Sequence, residues 1–174
     1  MSINFKKRLD QIIRVDHAGE YGAQQIYSGQ IRFTKDKNLK KILEKMADEE
    51  EEHLKYFESV MLKKRIRPTV LGGVWKIGGY SLGAFTALLG KNYVMACTEA
   101  VEEIIVKHYE KQLSEIPRSE EKEIRKKIKK FLADEDKHKE TGASAISSND
   151  IQLNVFKFFI KGLTKTAIRL SEKI

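Results

Sequence analysis

The chain has 174 residues, of which 41% are hydrophobic and 33% charged, so we expect one domain, residues 1–174, with a real hydrophobic core. Its one cysteine, Cys97, excludes an intrachain disulfide and indicates a reducing compartment, and no secretory signal peptide is visible at the N-terminus. The net charge of +8 indicates an anionic partner, but nucleic acid is not expected, because no zinc finger or glycine-rich phosphate loop occurs.

Four segments carry the periodicity of amphipathic helices, and no stretch shows the alternation of a strand, so we predict an all-α fold. The predicted helices cover about 5–33, 37–64, 92–115 and 118–140. Pro68 and Pro117 follow the second and third of them, and Gly142 is predicted to cap the fourth.

Residues 68–90 form an apolar segment with six glycines and a single charge, Lys76. The segment is long enough to cross a bilayer, but its glycines and Lys76 argue against a simple spanning helix. Three small residues share a face suited to close helix contact: Gly79, Gly83 and Ala87. Three aromatic residues are suited to a lipid interface: Trp75, Tyr80 and Phe85. The alternative is a buried glycine-rich hairpin.

Residues 151–174 combine apolar and basic character. Five cations recur every fourth residue and form what we call the basic stripe: Lys157, Lys161, Lys165, Arg169 and Lys173. A basic amphipathic helix of this kind is typical of segments that lie on anionic lipid. The alternative is a packing helix with a solvated basic face. We therefore expect additional membrane-associated helices beside the bundle.

A weak internal repeat links the predicted helices. In each half of the chain a lone Glu is followed, about thirty residues later, by a Glu-x-x-His motif. Residues three apart share a helix face, so four antiparallel helices would point the six side chains into the middle of a bundle. That ligand set is the one of dimetal carboxylate bundles. The six residues are Glu20, Glu50, His53, Glu102, Glu135 and His138.

Spacing leaves several choices open around these residues. The alternative to a metal site is two solvated Glu/Lys-rich faces with surface histidines. On the third predicted helix, spacing does not decide between Glu99 and Glu102. Glu49 and Asp134, which directly precede the two motifs, are either acceptors for the N–H of a ligand imidazole or simple solvated acids.

Four blocks of the sequence together resemble the demethoxyubiquinone hydroxylase family: RVDHAGEYGAQQIYSGQ, EEEEHLKYFE, ACTEAVEEIIVKHYEKQL and DEDKHKETG. The resemblance extends from Leu9 to Ile174 and implies a ferritin-like four-helix bundle. It implies that the six residues above are iron ligands and favours Glu102 over Glu99. Glu99 and Lys107 depart from the family pattern, but neither matches a ligand position.

The resemblance also implies an activity. A membrane-associated di-iron monooxygenase of ubiquinone biosynthesis adds one oxygen atom of O2 to the ring of demethoxyubiquinol. Such an enzyme has two carboxylate-bridged iron ions per chain, a polyisoprenoid quinol substrate and an external electron donor: NADH, a reductase or the quinol itself. The resemblance further implies a peripheral (monotopic) protein on an anionic membrane surface, which in a bacterium is the cytoplasmic side of the cell membrane. The protein would act as a homo-oligomer or with a reductase partner.

Further residues near the motifs have two interpretations each. Asp16 either holds a ligand histidine in its tautomer or caps a turn. His17 either forms a hydrogen bond near the site or is an ordinary core or surface histidine. Tyr27 and Tyr109 each follow a lone Glu by seven residues and either contact the site or pack in the core. For His108 and Tyr109 the resemblance suggests a role with the reductant or the quinone.

Two rival functions use the same residues differently. A soluble ferritin-like ferroxidase would share the ligands, because a fold alone does not decide the chemistry. A metal-free helical membrane adaptor would need no ligands at all. The two membrane-prone segments argue against the first, and the six side chains in register argue against the second.

Overall fold

The computed structural model describes residues 3–119, 121–147 and 150–173, and every regular element in these residues is an α-helix. The all-α prediction is therefore confirmed. Six helices follow one another along the chain: α1 (Ile3–Phe33), α2 (Lys37–Lys64), α3 (Gly72–Leu89), α4 (Lys91–Glu115), α5 (Lys122–Ser144) and α6 (Ile151–Lys173).

Local signals explain where α2 begins and ends. The Asp36 carboxylate accepts hydrogen bonds from the backbone N–H groups of Asn38 and Leu39, at 2.8 and 3.1 Å, and so caps the first turn. At the other end Arg65 adopts a left-handed conformation with φ of 56°, which closes the last turn ahead of Pro68. The predicted limits of this helix are confirmed.

The prediction for the fourth amphipathic helix is wrong at both ends. α5 begins at Lys122 and continues through Gly142 to Ser144. Gly142 is therefore not a cap. A Cβ atom at this position would lie 2.9 Å from the backbone oxygen of Met95 and 2.9 Å from the backbone nitrogen of Glu99. The glycine is needed because α5 approaches the α4 backbone closely here.

The glycine-rich segment forms one helix, α3, and not a hairpin. Its small face packs on α1: a Cβ atom at Gly83 would lie 2.0 Å from the oxygen of Ile26, and one at Gly79 would lie 2.9 Å from the oxygen of Gly22. The predicted close contact through small residues is confirmed. Among the described residues, no helix combines the length and apolar composition needed to cross a bilayer.

Apolar side chains on the outer sides of α3 and α6 are exposed to solvent. Ile77 is 72% exposed on α3, and Phe158 is 80% exposed on α6. Of the three aromatic residues predicted at a lipid interface, Tyr80 and Phe85 are exposed. Trp75 differs, because it lines an internal cavity between α1, α3, α4 and α6.

The basic stripe of α6 does not face outward along its whole length. Lys157 Nζ lies 3.2 Å from a carboxylate oxygen of Glu99, and Lys161 Nζ lies 2.5 Å from one of Glu103. The expectation that the whole stripe lies on lipid is therefore wrong for these two lysines, because acidic residues on α4 pair with them. Glu99, one of the departures from the family pattern, has its partner here.

Candidate metal centre

Four helices bring the six predicted side chains together in the interior. The lone glutamates come from α1 and α4, and the Glu-x-x-His motifs come from α2 and α5. None of the six side chains belongs to a residue more than 3% exposed. On the third amphipathic helix it is Glu102 that points inward, whereas Glu99 faces α6.

The six side chains fall into two groups that share two members. Within each group, one ligand atom from every residue lies within 4.8 Å of the others. The first group is Glu20, Glu50, His53 and Glu135. The second group is Glu50, Glu102, Glu135 and His138. Because Glu50 and Glu135 belong to both groups, they can bridge two neighbouring cations.

Each histidine of the cluster contacts acids with both ring nitrogens. His53 places Nδ1 3.0 Å from Glu135 and Nε2 3.3 Å from Asp134. The other histidine of the cluster repeats this pattern with acids of α2: His138 Nδ1 lies 3.1 Å from Glu50 and Nε2 2.6 Å from Glu49. Nδ1 thus points into the cluster, while Nε2 meets an acid at its rim.

This arrangement gives Glu49 and Asp134 the positions expected of acceptors for ligand imidazoles. A carboxylate on the outer nitrogen fixes the tautomer, so the inner nitrogen keeps its lone pair for a metal. Both acids are partly exposed, with side-chain exposures of 29% and 27%. They are therefore at the boundary between the cluster and solvent.

Two buried tyrosines donate hydrogen bonds to the cluster. The Tyr27 hydroxyl donates to Glu102 at 3.2 Å, and the Tyr109 hydroxyl donates to Glu20. Burial, followed by the charge of Glu102, raises the pKa of Tyr27 well above its usual value. Burial and the charge of Glu20 do the same to the pKa of Tyr109. Both hydroxyls therefore stay protonated and act as donors.

The carboxylates strongly perturb one another. Burial, followed by the charges of Glu135 and Glu20, raises the pKa of both Glu50 and Glu102 well above the usual range. Burial also lowers the pKa of His53, but its hydrogen bonds to Glu135 and Glu20 outweigh this effect and raise the pKa to about 10. The cluster concentrates negative charge, which protonation of a carboxylate or a nearby positive charge relieves.

The donor set fits a pair of divalent cations. Oxygen and imidazole nitrogen donors suit iron or manganese, and four carboxylates balance the charge of two such ions. Oε2 of Glu135 is buried in the cluster and accepts no hydrogen bond from the described residues, although His138 Nδ1 lies 3.3 Å away. Cys97 does not contribute, since it is fully buried in an apolar cluster with Ala100 and Ile160.

Asp16, His17 and His108 have their polar contacts outside the six clustered side chains. Asp16 does not hold a ligand histidine: it accepts a hydrogen bond from Gln112 at 2.5 Å and lies 3.9 Å from His108. His17 has its ion-pair contact with Glu58, at 3.9 Å. Burial, the largest effect, lowers the pKa of His108 to about 4, so its imidazole ring is neutral at pH 7.

Sequence reasoning did not find Gln112. Its amide nitrogen lies 2.8 Å from Nε2 of His108 and also donates to Asp16, so it joins two buried polar residues. The only signal was a polar residue one turn beyond Tyr109 on the buried face of α4, and such a residue does not identify its partners.

An apolar cavity adjoins the cluster. The cavity has a volume of about 310 Å³ and is lined by residues of α1, α3, α4 and α6. A small space of about 30 Å³ lies between it and the carboxylates and is lined by Glu20, Glu50, Glu102 and Glu135 among others. Residues that line both spaces include Gly19 on α1, so the cavity leads to the cluster.

Sequence comparisons agree with this geometry. The profile of the family described as ubiquinone biosynthesis protein COQ7 matches residues 7–171. The NADPH-dependent 3-demethoxyubiquinone 3-hydroxylase of Homo sapiens is 44% identical over 170 residues, which cover 95% of this chain and 78% of the relative. That of Bos taurus is 42% identical over 172 residues, covering 97% and 79%. The 3-demethoxyubiquinol 3-hydroxylase of Rhodospirillum rubrum is 36% identical over 167 residues, covering 95% and 78%. The chain belongs to the family of ubiquinone biosynthesis protein COQ7.

Proposed function

We propose that this protein is an O2-dependent monooxygenase that hydroxylates the ring of demethoxyubiquinol in ubiquinone biosynthesis. The observation that carries the proposal is the apolar cavity beside the carboxylate cluster. A ferroxidase oxidises a small aqueous ion and has no use for an apolar space at its metal site. A quinol with an isoprenoid tail requires such a space.

The cavity suits the ring and the first part of the tail. Its volume of about 310 Å³ is at the lower end of the about 300–1,000 Å³ typical of small-molecule sites. Val15, Gly19 and Ile105 line both the cavity and the small space at the carboxylates, so a ring that enters between the helices approaches the cluster directly. Apolar walls also exclude water from the reacting ring.

The six clustered side chains would hold two iron ions, which supply the reductive activation of O2 when bound. Glu50 and Glu135 would help to hold both ions, because each belongs to both ligand groups. Asp134 would hold His53 in the tautomer that binds through Nδ1. The Tyr109 hydroxyl would orient Glu20 by donating to its carboxylate.

The overall reaction needs electrons from outside the chain. One oxygen atom enters the ring and the other leaves as water, which consumes two electrons and two protons. The mammalian relatives are named as NADPH-dependent, whereas the family resemblance suggested NADH. We propose a reduced nicotinamide dinucleotide as the donor, used directly or through a reductase.

We also propose that the protein is peripheral and monotopic, with α3 and α6 at the lipid surface. Both helices line the cavity, through Trp75 and Leu163 among others, and both expose apolar side chains on their outer sides. The tail of the quinol would then stay in lipid while its ring lies in the cavity. In a bacterium this surface would be the cytoplasmic side of the cell membrane. In a homo-oligomer, two protomers would each place their α3 and α6 surface on the same membrane.

Iron content and labelled oxygen test the proposal together. The purified protein should hold about two irons per chain. With isotopically labelled O2 and demethoxyubiquinol, one labelled atom should appear on the quinone ring. Glu135→Ala and His138→Ala should lower iron content and abolish the reaction, whereas Glu51→Ala, with its side chain 53% exposed, should not. Rapid oxidation of Fe(II) without label in the ring would favour the ferroxidase.

A further inference from the structure

A cationic cleft lies between α4 and α6, on the side of His108. It has a volume of about 220 Å³, and four cations and one acid are among its lining residues. Its charged lining residues are Lys107, Lys111, Lys165, Arg169 and Glu172, and His108 also lines it. Four positive charges around one concavity create a local field that attracts anions.

Only part of this charge is neutralised by the protein. Lys107 pairs with Glu103 at 2.6 Å, and Lys111 lies 3.8 Å from Glu115. Among the described residues, Lys165 and Arg169 have no carboxylate within ion-pair distance. Glu172, the one acid among the described lining residues, pairs with Arg8 at 3.3 Å. The cleft therefore offers an anion a lysine and a guanidinium that no described carboxylate neutralises.

The cleft is separated from the carboxylate cluster by very few side chains. His108 and Ile168 line both the cleft and the small space at the carboxylates. His108 continues inward through Gln112, at 2.8 Å, to Asp16. The residue after it, Tyr109, donates its hydroxyl to Glu20. A ligand bound in the cleft would thus be adjacent to the metal centre without entering the quinol cavity.

We propose that this cleft binds the phosphate groups of a reduced nicotinamide dinucleotide, an inference that rests on the proposed function. No helix N-terminus is among the described lining residues of the cleft, and the sequence has no glycine-rich phosphate loop, so side-chain cations would bind the phosphates. A guanidinium and lysines are suited to that role. With about 220 Å³ the cleft is smaller than a pocket that encloses a whole ligand, so the rest of the dinucleotide lies across its rim.

The test measures NADPH binding to the iron-loaded protein by fluorescence titration. The double variant Lys165→Glu/Arg169→Glu should bind NADPH at least about tenfold more weakly, because it loses two charge-assisted contacts. The matched control Lys126→Glu/Lys129→Glu makes the same change in net charge on the exposed side of α5 and should bind as the parent does. Inorganic pyrophosphate should displace NADPH from the parent.

Two further measurements separate the possible outcomes. Vesicles of anionic lipid test the other source of phosphate: if the cleft variant loses vesicle binding but keeps NADPH binding, the cleft is a headgroup site and the proposal is wrong. Equal NADPH affinity in the parent and both variants also overturns it. A single turnover depends on the proposed function alone: the parent is reduced anaerobically with dithionite, freed of excess reductant and then mixed with O2 and demethoxyubiquinol. If that reaction proceeds while NADPH does not bind in the cleft, only this inference fails.

Discussion

Replacing Glu102 with Gln should stabilise the metal-free protein although it weakens metal binding. Burial, followed by the charges of Glu135 and Glu20, raises the pKa of Glu102 above its unfolded value of 4.5. A group of this kind contributes stability that is present below pH 4.5 and is lost as the pH rises through its folded pKa. Keeping the Glu102 carboxyl protonated above pH 4.5 therefore lowers the free energy of unfolding, by about 1.4 kcal/mol for each pH unit between 4.5 and its raised folded pKa.

Glutamine removes this penalty without changing the shape of the side chain. Its amide oxygen can still accept the hydroxyl of Tyr27, which lies 3.2 Å from the carboxylate in the parent. We expect the melting temperature of the metal-free variant to lie above that of the metal-free parent at pH 7, by about 2–4 °C for each kcal/mol of penalty removed. The gain should shrink as the pH falls towards 4.5. With iron added, the order should reverse, because the variant has lost a ligand.

Differential scanning calorimetry of chelator-treated protein, at several values between about pH 5 and 8, measures this effect. Glu51→Gln is the matched control, since this neighbour of the cluster residue Glu50 has a side chain 53% exposed. Its substitution should change the free energy of unfolding by less than about 0.5 kcal/mol. A metal-free Glu102→Gln variant that is less stable than the parent at every pH would refute the electrostatic reasoning.

Three further predictions concern other parts of the molecule. Gly83→Ala should destabilise the protein by about 1–3 kcal/mol in thermal unfolding, because the new Cβ would lie 2.0 Å from the Ile26 oxygen. The control Gly78→Ala should not destabilise it in this way, because a Cβ at that position meets nothing within 4 Å. Asp134→Asn should lower iron affinity by about 10- to 100-fold in a chelator competition, since His53 loses its outer carboxylate, and an unchanged affinity would remove Asp134 from the site. Gly22→Leu should place its side chain in the apolar cavity and raise KM for demethoxyubiquinol about tenfold or more in steady-state kinetics. The iron content should stay at the parent level. An unchanged KM would mean that the quinol does not use this cavity.

The periodicity of the chain was sufficient to predict α1, α2 and α4, because each buries a wide apolar face. The clustering of the six side chains was also predictable. A Glu-x-x-His motif fixes two residues on one helix face, and two repeats of it fix the geometry of a bundle centre. The inward position of Glu102 rather than Glu99 was not available from spacing, because both residues lie close to the same face of α4.

Contacts between distant helices were less predictable. A glycine near a predicted helix end has the same appearance in sequence whether it caps the helix or admits a neighbour, and Gly142 does the second. The spacing of Lys157 and Lys161 placed them on one face of α6 but did not say what that face meets. The complementary pair, Glu99 and Glu103, was visible at the same four-residue spacing on α4.

The crossed contacts of the two histidines bear on the order of assembly during synthesis. His53 is synthesised with α1 and α2, but two of the acids that contact its ring nitrogens, Asp134 and Glu135, follow 81 and 82 residues later. Closing a loop of that length has an entropic cost that is offset only when α5 packs against the rest of the bundle. We therefore expect a ribosome-bound chain to hold only a fragment of the centre until α5 has emerged. Tight iron capture would then be a post-translational event, and a chain that stops before α5 should retain no iron after dialysis.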